Sequence, residues 1–174
     1  MAERGTALGS RENPAPLGAA VRTRIERGDR YSAPEVYNLE ITLVEVVRGK
    51  EARDRIEGQS VAGRPRAGFE YVLCCVRVGY FSKARGFAHS GEKFEVSPEH
   101  FAAMAGDGGA EFERPVLSRQ PDHALIGTSL AVNESREGWI VLEVAEGGKA
   151  SLIFRREYEA NQYGVWGALW FQLA

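Results

Sequence analysis

The chain has 174 residues, 44% of them hydrophobic and 26% charged, with a formal charge of −2; it is long enough to bury one sizeable core and excludes a general attraction to nucleic acid or anionic lipid. No run reaches the roughly 18 apolar residues of a membrane-spanning helix, and the opening Met1-Ala2-Glu3-Arg4-Gly5 lacks the basic-then-apolar pattern of an export signal. The 20 glycines, many beside Asp, Glu, Asn or another Gly, point to a chain that turns often and so to many short strands.

Residues 1–17 carry Gly5, Gly9, Pro14 and Pro16 among charged and small residues, a composition that reads as a flexible N-terminal tail before one domain over residues 18–174. In residues 18–26, Val21, Thr23 and Ile25 alternate with Arg22, Arg24 and Glu26, the pattern of a half-buried strand. Over residues 36–47, Leu39, Ile41 and Leu43 stand in one phase and Val44 and Val46 in the other. That change predicts a bulge, or a strand buried on both faces. Gly49 ends this strand, and residues 50–57, with Ala52 and Ile56 four apart, predict a two-turn helix crossing the end of the sandwich.

Residues 68–81 read as a long central strand, with Val72, Cys74, Val76 and Val78 on the core face and Tyr71, Leu73, Cys75 and Arg77 on the other. Cys74 and Cys75 are the only two cysteines. As neighbours on a strand they point to opposite faces, so free thiols are expected in place of a vicinal disulfide. After a polar loop, residues 93–96 form a short strand. The turn Gly106-Asp107-Gly108-Gly109 then predicts a hairpin between residues 101–104 and 110–112, its rival being a short helix from Ser97-Pro98-Glu99. Residues 115–121 form a crossing segment and 125–132 an irregular stretch, leading to a turn at Asn133-Glu134-Ser135. Residues 138–144 are a strand with Ile140, Leu142 and Val144 on one face and Trp139 and Val141 on the other. Gly147-Gly148 turns it into residues 150–155, expected as its hairpin partner. A polar, aromatic loop over 156–167 precedes a last strand at 168–173. Strands at such spacing make a two-layer antiparallel β-sandwich.

His89, His100 and His123 each stand among loop-like residues and never at a metal-ligand spacing. Neither cysteine has a recognisable base partner, no serine lies in a Gly-x-Ser-x-Gly elbow, and residues 106–109 lack the ligands of a calcium loop. No catalytic residue, metal or cofactor is assigned. Glu70, Arg77 and Glu143 suggest inter-strand ion pairs on a solvated sheet face. Tyr158, Tyr163 and Trp166 crowd the loop at 156–167. They read either as a cap on the open end of the sandwich or as a binding patch for a protein partner, since such residues concentrate where one side is apolar and the other wet.

The series Glu12-Asn13-Pro14-Ala15-Pro16-Leu17-Gly18, Glu45-Val46-Val47-Arg48-Gly49 with Ala52, Gly68-Phe69-Glu70-Tyr71-Val72-Leu73 leading to Val76-Arg77-Val78, Glu137-Gly138-Trp139, and finally Trp170-Phe171 resembles the bacterial extracytoplasmic immunoglobulin-like domains of unknown function, relatives of secreted mycobacterial antigen-like sandwiches. The resemblance implies an all-β fold, an immunoglobulin-like antiparallel β-sandwich with one short helix near residues 50–57. It implies a secreted or cell-surface module that binds another protein or plays a structural part, without enzymatic activity. No lipid-accepting cysteine stands before Pro14 and Pro16, which keeps a cytoplasmic location and a role as accessory subunit of a cytosolic or membrane-associated complex as alternatives. An enzyme without a recognisable motif is the remaining one.

Overall fold

Alternation of apolar and polar residues builds nine strands: β1 (Ala20–Arg27), β2 (Glu35–Arg48), β3 (Phe69–Ser82), β4 (Phe94–Val96), β5 (Phe101–Ala105), β6 (Thr128–Leu130), β7 (Glu134–Ala145), β8 (Ala150–Phe154) and β9 (Leu169–Leu173). One helix, α1 (Gly49–Glu57), lies between β2 and β3. The structure is a computed structural model that describes residues 7–27, 35–57, 64–82, 93–106, 109–117, 120–155 and 168–173. Over these residues the chain is the all-β antiparallel sandwich with one short helix that the alternation predicts. No helix among them is long and apolar enough to cross a membrane.

The larger sheet has the order β1-β2-β3-β7, the facing sheet β5-β8-β9, and β4 pairs with β6. β3 is central as predicted, paired antiparallel with β2 on one edge and β7 on the other. Its even-numbered side chains, Val72, Cys74, Val76 and Val78, are buried with Leu39, Ile41 and Leu43 of β2 and Ile140, Leu142 and Val144 of β7. Facing them are Phe101, Leu152, Phe154 and Phe171 of the second sheet. The predicted bulge falls between Leu43 and Glu45. There Val44 is the extra residue, so the chain can keep Leu43 and Val46 towards the core while Val47 turns to the outer face.

That outer face is covered where the sequence suggested solvent. Tyr71, Leu73 and Val47 form a second buried cluster with Ala52 and Ile56 of α1, flanked by Leu117, Trp139 and Val141. The helix therefore lies on the back of the larger sheet and does not cross the end of the sandwich. Its Ala52 and Ile56 stripe needs an apolar surface, and Tyr71 and Leu73 are the one that β3 presents.

Residues 147–148 also act differently from the expected hairpin. β7 and β8 belong to opposite sheets, β8 being paired with β5 and β9. A tight β7–β8 hairpin would set Leu142, Val144, Leu152 and Phe154 side by side in one layer; placed in two layers, they cover one another. At residues 98–112 both readings hold in part. Pro98–His100 is a single 3-10 turn capped by the Ser97 side chain. Beyond it the hairpin closes through the Met104–Glu111 bridge, with the Phe112 N–H donating to the Ala103 carbonyl at 2.9 Å.

Residues 7–17, expected as part of a tail, form a clasp along β9. The Ala15 N–H donates to the Trp170 carbonyl (2.8 Å) and the Ala15 carbonyl accepts from Gln172 N–H (2.9 Å), a parallel bridge to the last strand. Upstream, the Gly9 carbonyl accepts from Trp170 N–H at 2.8 Å. Downstream, the Gly18 N–H donates to Leu43 of the other sheet at 2.8 Å. Gly9 has φ +82, and a Cβ there would lie 2.7 Å from Val21, so only glycine lets the clasp sit this close to β1. Composition hid this because the clasp is held by backbone groups and by one fully buried alanine, Ala15.

Deleting residues 1–17 distinguishes clasp from tail. Losing these bonds and uncovering the β9 edge is expected to cost about 2 kcal/mol or more, lowering the melting temperature by roughly 5 °C in a domain of this size. An unchanged thermal melt would return these residues to the status of a tail.

Candidate functional site

The three aromatic residues singled out in the sequence, Tyr158, Tyr163 and Trp166, lie outside the described residues. Within the described part, the concave feature with the most varied chemistry lies on the back of the larger sheet. It is a cleft of about 150 Å³ lined by Arg55, Ile56, Leu73, Pro121, Asp122, His123 and Trp139.

Three segments build it. Ile56 and Leu73 form its floor because α1 buries its apolar stripe on β3. Arg55, next to Ile56 on the helix, lies with its guanidinium carbon 5.7 Å from the centre of the Trp139 ring, within the range of a cation–π contact. Its nitrogens also donate to Glu45 Oε1 (3.1 Å) and Glu51 Oε1 (2.9 Å), so the cation is held in place from the strand and from its own helix.

The third wall is residues 121–126, which run as a short parallel partner of β7. Trp139 N–H donates to the His123 carbonyl (2.9 Å), and the Trp139 carbonyl accepts from Leu125 N–H (3.0 Å). This approach depends on Gly138, where a Cβ would stand 2.9 Å from the backbone of Leu125. His123 takes a left-handed φ of +56, one of two non-glycine residues to do so among those described. A non-glycine residue in that region costs about 1–3 kcal/mol and persists only where its surroundings fix it.

The other titratable residues serve the scaffold. Arg77 and Glu137 face each other across β3 and β7, as read from sequence, with Arg77 Nε donating to Glu137 at 2.7 Å. Arg48 of β2 pairs with Glu70 of β3 at 2.7 Å. Glu143 is corrected: it is buried, not on a solvated face, because it accepts from the Arg66 backbone N–H (2.6 Å) and from Arg66 Nε (3.3 Å). That bond moors the segment entering β3. His100 also departs from a surface loop role, its ring packed between Phe94 and Phe154 while its Nδ1 accepts the Ser97 N–H. His89 lies outside the described residues. No group of three or more His, Cys, Asp or Glu placed to hold a metal occurs among the described residues.

Both cysteines are free thiols, as expected, and on opposite faces. Cys74 is fully buried in the core and Cys75 is 8% exposed beside Trp139. Burial pushes the Cys74 thiol far above its ordinary range, against a weaker downward pull from Arg48. Burial, then Glu137 and Glu45, raise Cys75, with Arg77 opposing them. A thiol held neutral in this way is a poor nucleophile.

Sequence reasoning missed the cleft. The available signal was the outer phase of β3 and β7, where Tyr71, Leu73, Trp139 and Val141 are too apolar for a solvated face. Comparison with protein-family models, with curated proteins and with solved structures finds no match to this chain.

The thiols yield a pH prediction. The folded pKa of Cys74 is raised, so its contribution is fully present below about pH 8.5, where the unfolded thiol begins to ionise, and is lost as pH rises further. Between pH 9 and 10 the parent should therefore lose about 1 kcal/mol more stability than Cys74→Ala, as read from urea unfolding at each pH. Equal losses would mean that Cys74 is not held protonated in the fold.

Proposed function

We propose that the chain is a non-enzymatic binding module that works outside the cytoplasm and contacts another protein through the back of its larger sheet. The observation that carries this reading is the cleft where Arg55, Trp139 and His123 converge from a helix, a strand and a strained loop. Tryptophan and arginine are the residue types that most often dominate binding energy at protein interfaces. Left-handed backbone at a non-glycine residue gathers at ligand-contacting sites. The extracytoplasmic part rests on the resemblance alone.

The partner captured from the native host is the readout. Trp139→Ala should weaken its binding by about 2 kcal/mol, roughly thirtyfold, and the exposed Arg55→Ala should weaken it in the same direction. Melting curves for both variants separate lost binding from lost folding. If Trp139→Ala and Arg55→Ala bind at parental affinity while Trp166→Ala does not, the contact surface is the aromatic loop and this assignment is wrong.

A further inference from the structure

We infer that the cleft receives a basic side chain, lysine or arginine, presented by a short stretch of a protein partner; this rests on reading the back of the larger sheet as a binding surface. Size narrows the occupant first. At about 150 Å³ the cleft is well below the roughly 300 Å³ at which pockets for cofactors and drug-sized molecules begin, so it suits a single side chain.

Its walls fit a side chain that is aliphatic along its length and polar at its tip. Ile56, Leu73, Pro121 and the Trp139 ring supply apolar surface, and Asp122 and His123 supply the polar rim. Lysine and arginine have that form, since their methylene stems lie on apolar surface while the charged head stays at its edge.

Charge selects the sign. Arg55 is the cation lining the cleft, and two carboxylates, Glu45 and Glu51, already hold it. Counting Arg55 as +1, Glu45, Glu51 and Asp122 as −1 each, and histidine as neutral, the group that lines and braces the cleft carries −2. An incoming acid would meet that excess and a compensated arginine. An incoming aliphatic side chain would take water from Asp122 with nothing in exchange, whereas a cation satisfies both. The chain itself supplies the precedent, because the Trp139 ring already accepts the guanidinium of Arg55.

The test uses the full chain labelled with nitrogen-15 and four capped pentapeptides that differ only in a central lysine, arginine, glutamate or norleucine. The indole N–H of Trp139, identified among the three tryptophans by its loss in Trp139→Phe, is the reporter, with the amides of His123 and Gly138 beside it. Lysine and arginine peptides should shift these signals saturably at millimolar concentration. Norleucine should bind at least about fivefold more weakly, and the glutamate peptide should leave the signals in place. Asp122→Asn and Glu51→Gln, both at exposed positions, should each weaken the lysine peptide about threefold while leaving the melting temperature unchanged.

Equal binding of norleucine, or binding of glutamate, overturns the basic side chain while leaving the surface as a binding site. Failure of every peptide to move the Trp139 signal also overturns it, and the partner-capture experiment with Trp139→Ala and Arg55→Ala then decides the wider reading on its own.

Discussion

The constraint on which this structure depends is that β3 is buried on both faces. A strand in a simple sandwich shows one face to the core and the other to water, and its sequence alternates accordingly. Here the even-numbered side chains of β3 fill the core between the sheets while Tyr71, Leu73 and Cys75 are buried on the opposite side. α1 is the element that makes this workable, and its position between β2 and β3 in the chain is what brings it there. The bulge between Leu43 and Glu45 belongs to the same solution. It turns Val47 onto the outer face, where the strand hands over to the helix, without exposing Leu43.

Once β3 is fixed, polar contacts decide how the chain enters and leaves it. The segment before β3 is tied down by Arg66, whose guanidinium carbon stands 4.3 Å from the centre of the Phe69 ring while its backbone and side chain bind the buried Glu143. A buried carboxylate without partners would cost several kcal/mol, so this one specifies where the segment must lie. Arg48 does the same at the crossing between sheets, donating to Glu70 and, at 2.8 Å, to the Gly148 carbonyl in the β7–β8 connection. The exposed pairs, such as Arg22 with Glu40, contribute little stability and chiefly keep the sheet surface soluble.

What the sequence made legible was whatever repeats along a strand. Val72 to Val78 disclosed the core face, the phase change at Val44 disclosed the bulge, and Ala52 with Ile56 disclosed the helix. Two kinds of information were hidden. One was partnership over distance: Ala15 lies in a stretch with the composition of a tail, yet its backbone completes the sheet edge at Phe171, and Gln172 Nε2 reaches the Pro14 carbonyl across 158 positions. The other was layer assignment. Residues 138–144 and 150–155 have the pattern of a hairpin, and only the need to cover Leu142 and Val144 from above places β8 in the facing sheet. The cleft was illegible for both reasons, since its walls come from residues 55–56, 73, 121–123 and 139.

The same burial that stabilises β3 also makes the cleft rigid. Each wall is anchored independently: Arg55 through Glu45 and Glu51, Trp139 through the β7 ladder, and His123 through its carbonyl bond to Trp139 N–H and the close approach of Leu125 to Gly138. The left-handed backbone of His123 is thus imposed by the fold, and its cost falls on folding stability and not on the moment of contact. A site ordered in advance loses little conformational freedom when occupied. That is how a cleft of this small volume can discriminate by charge and shape instead of by buried area.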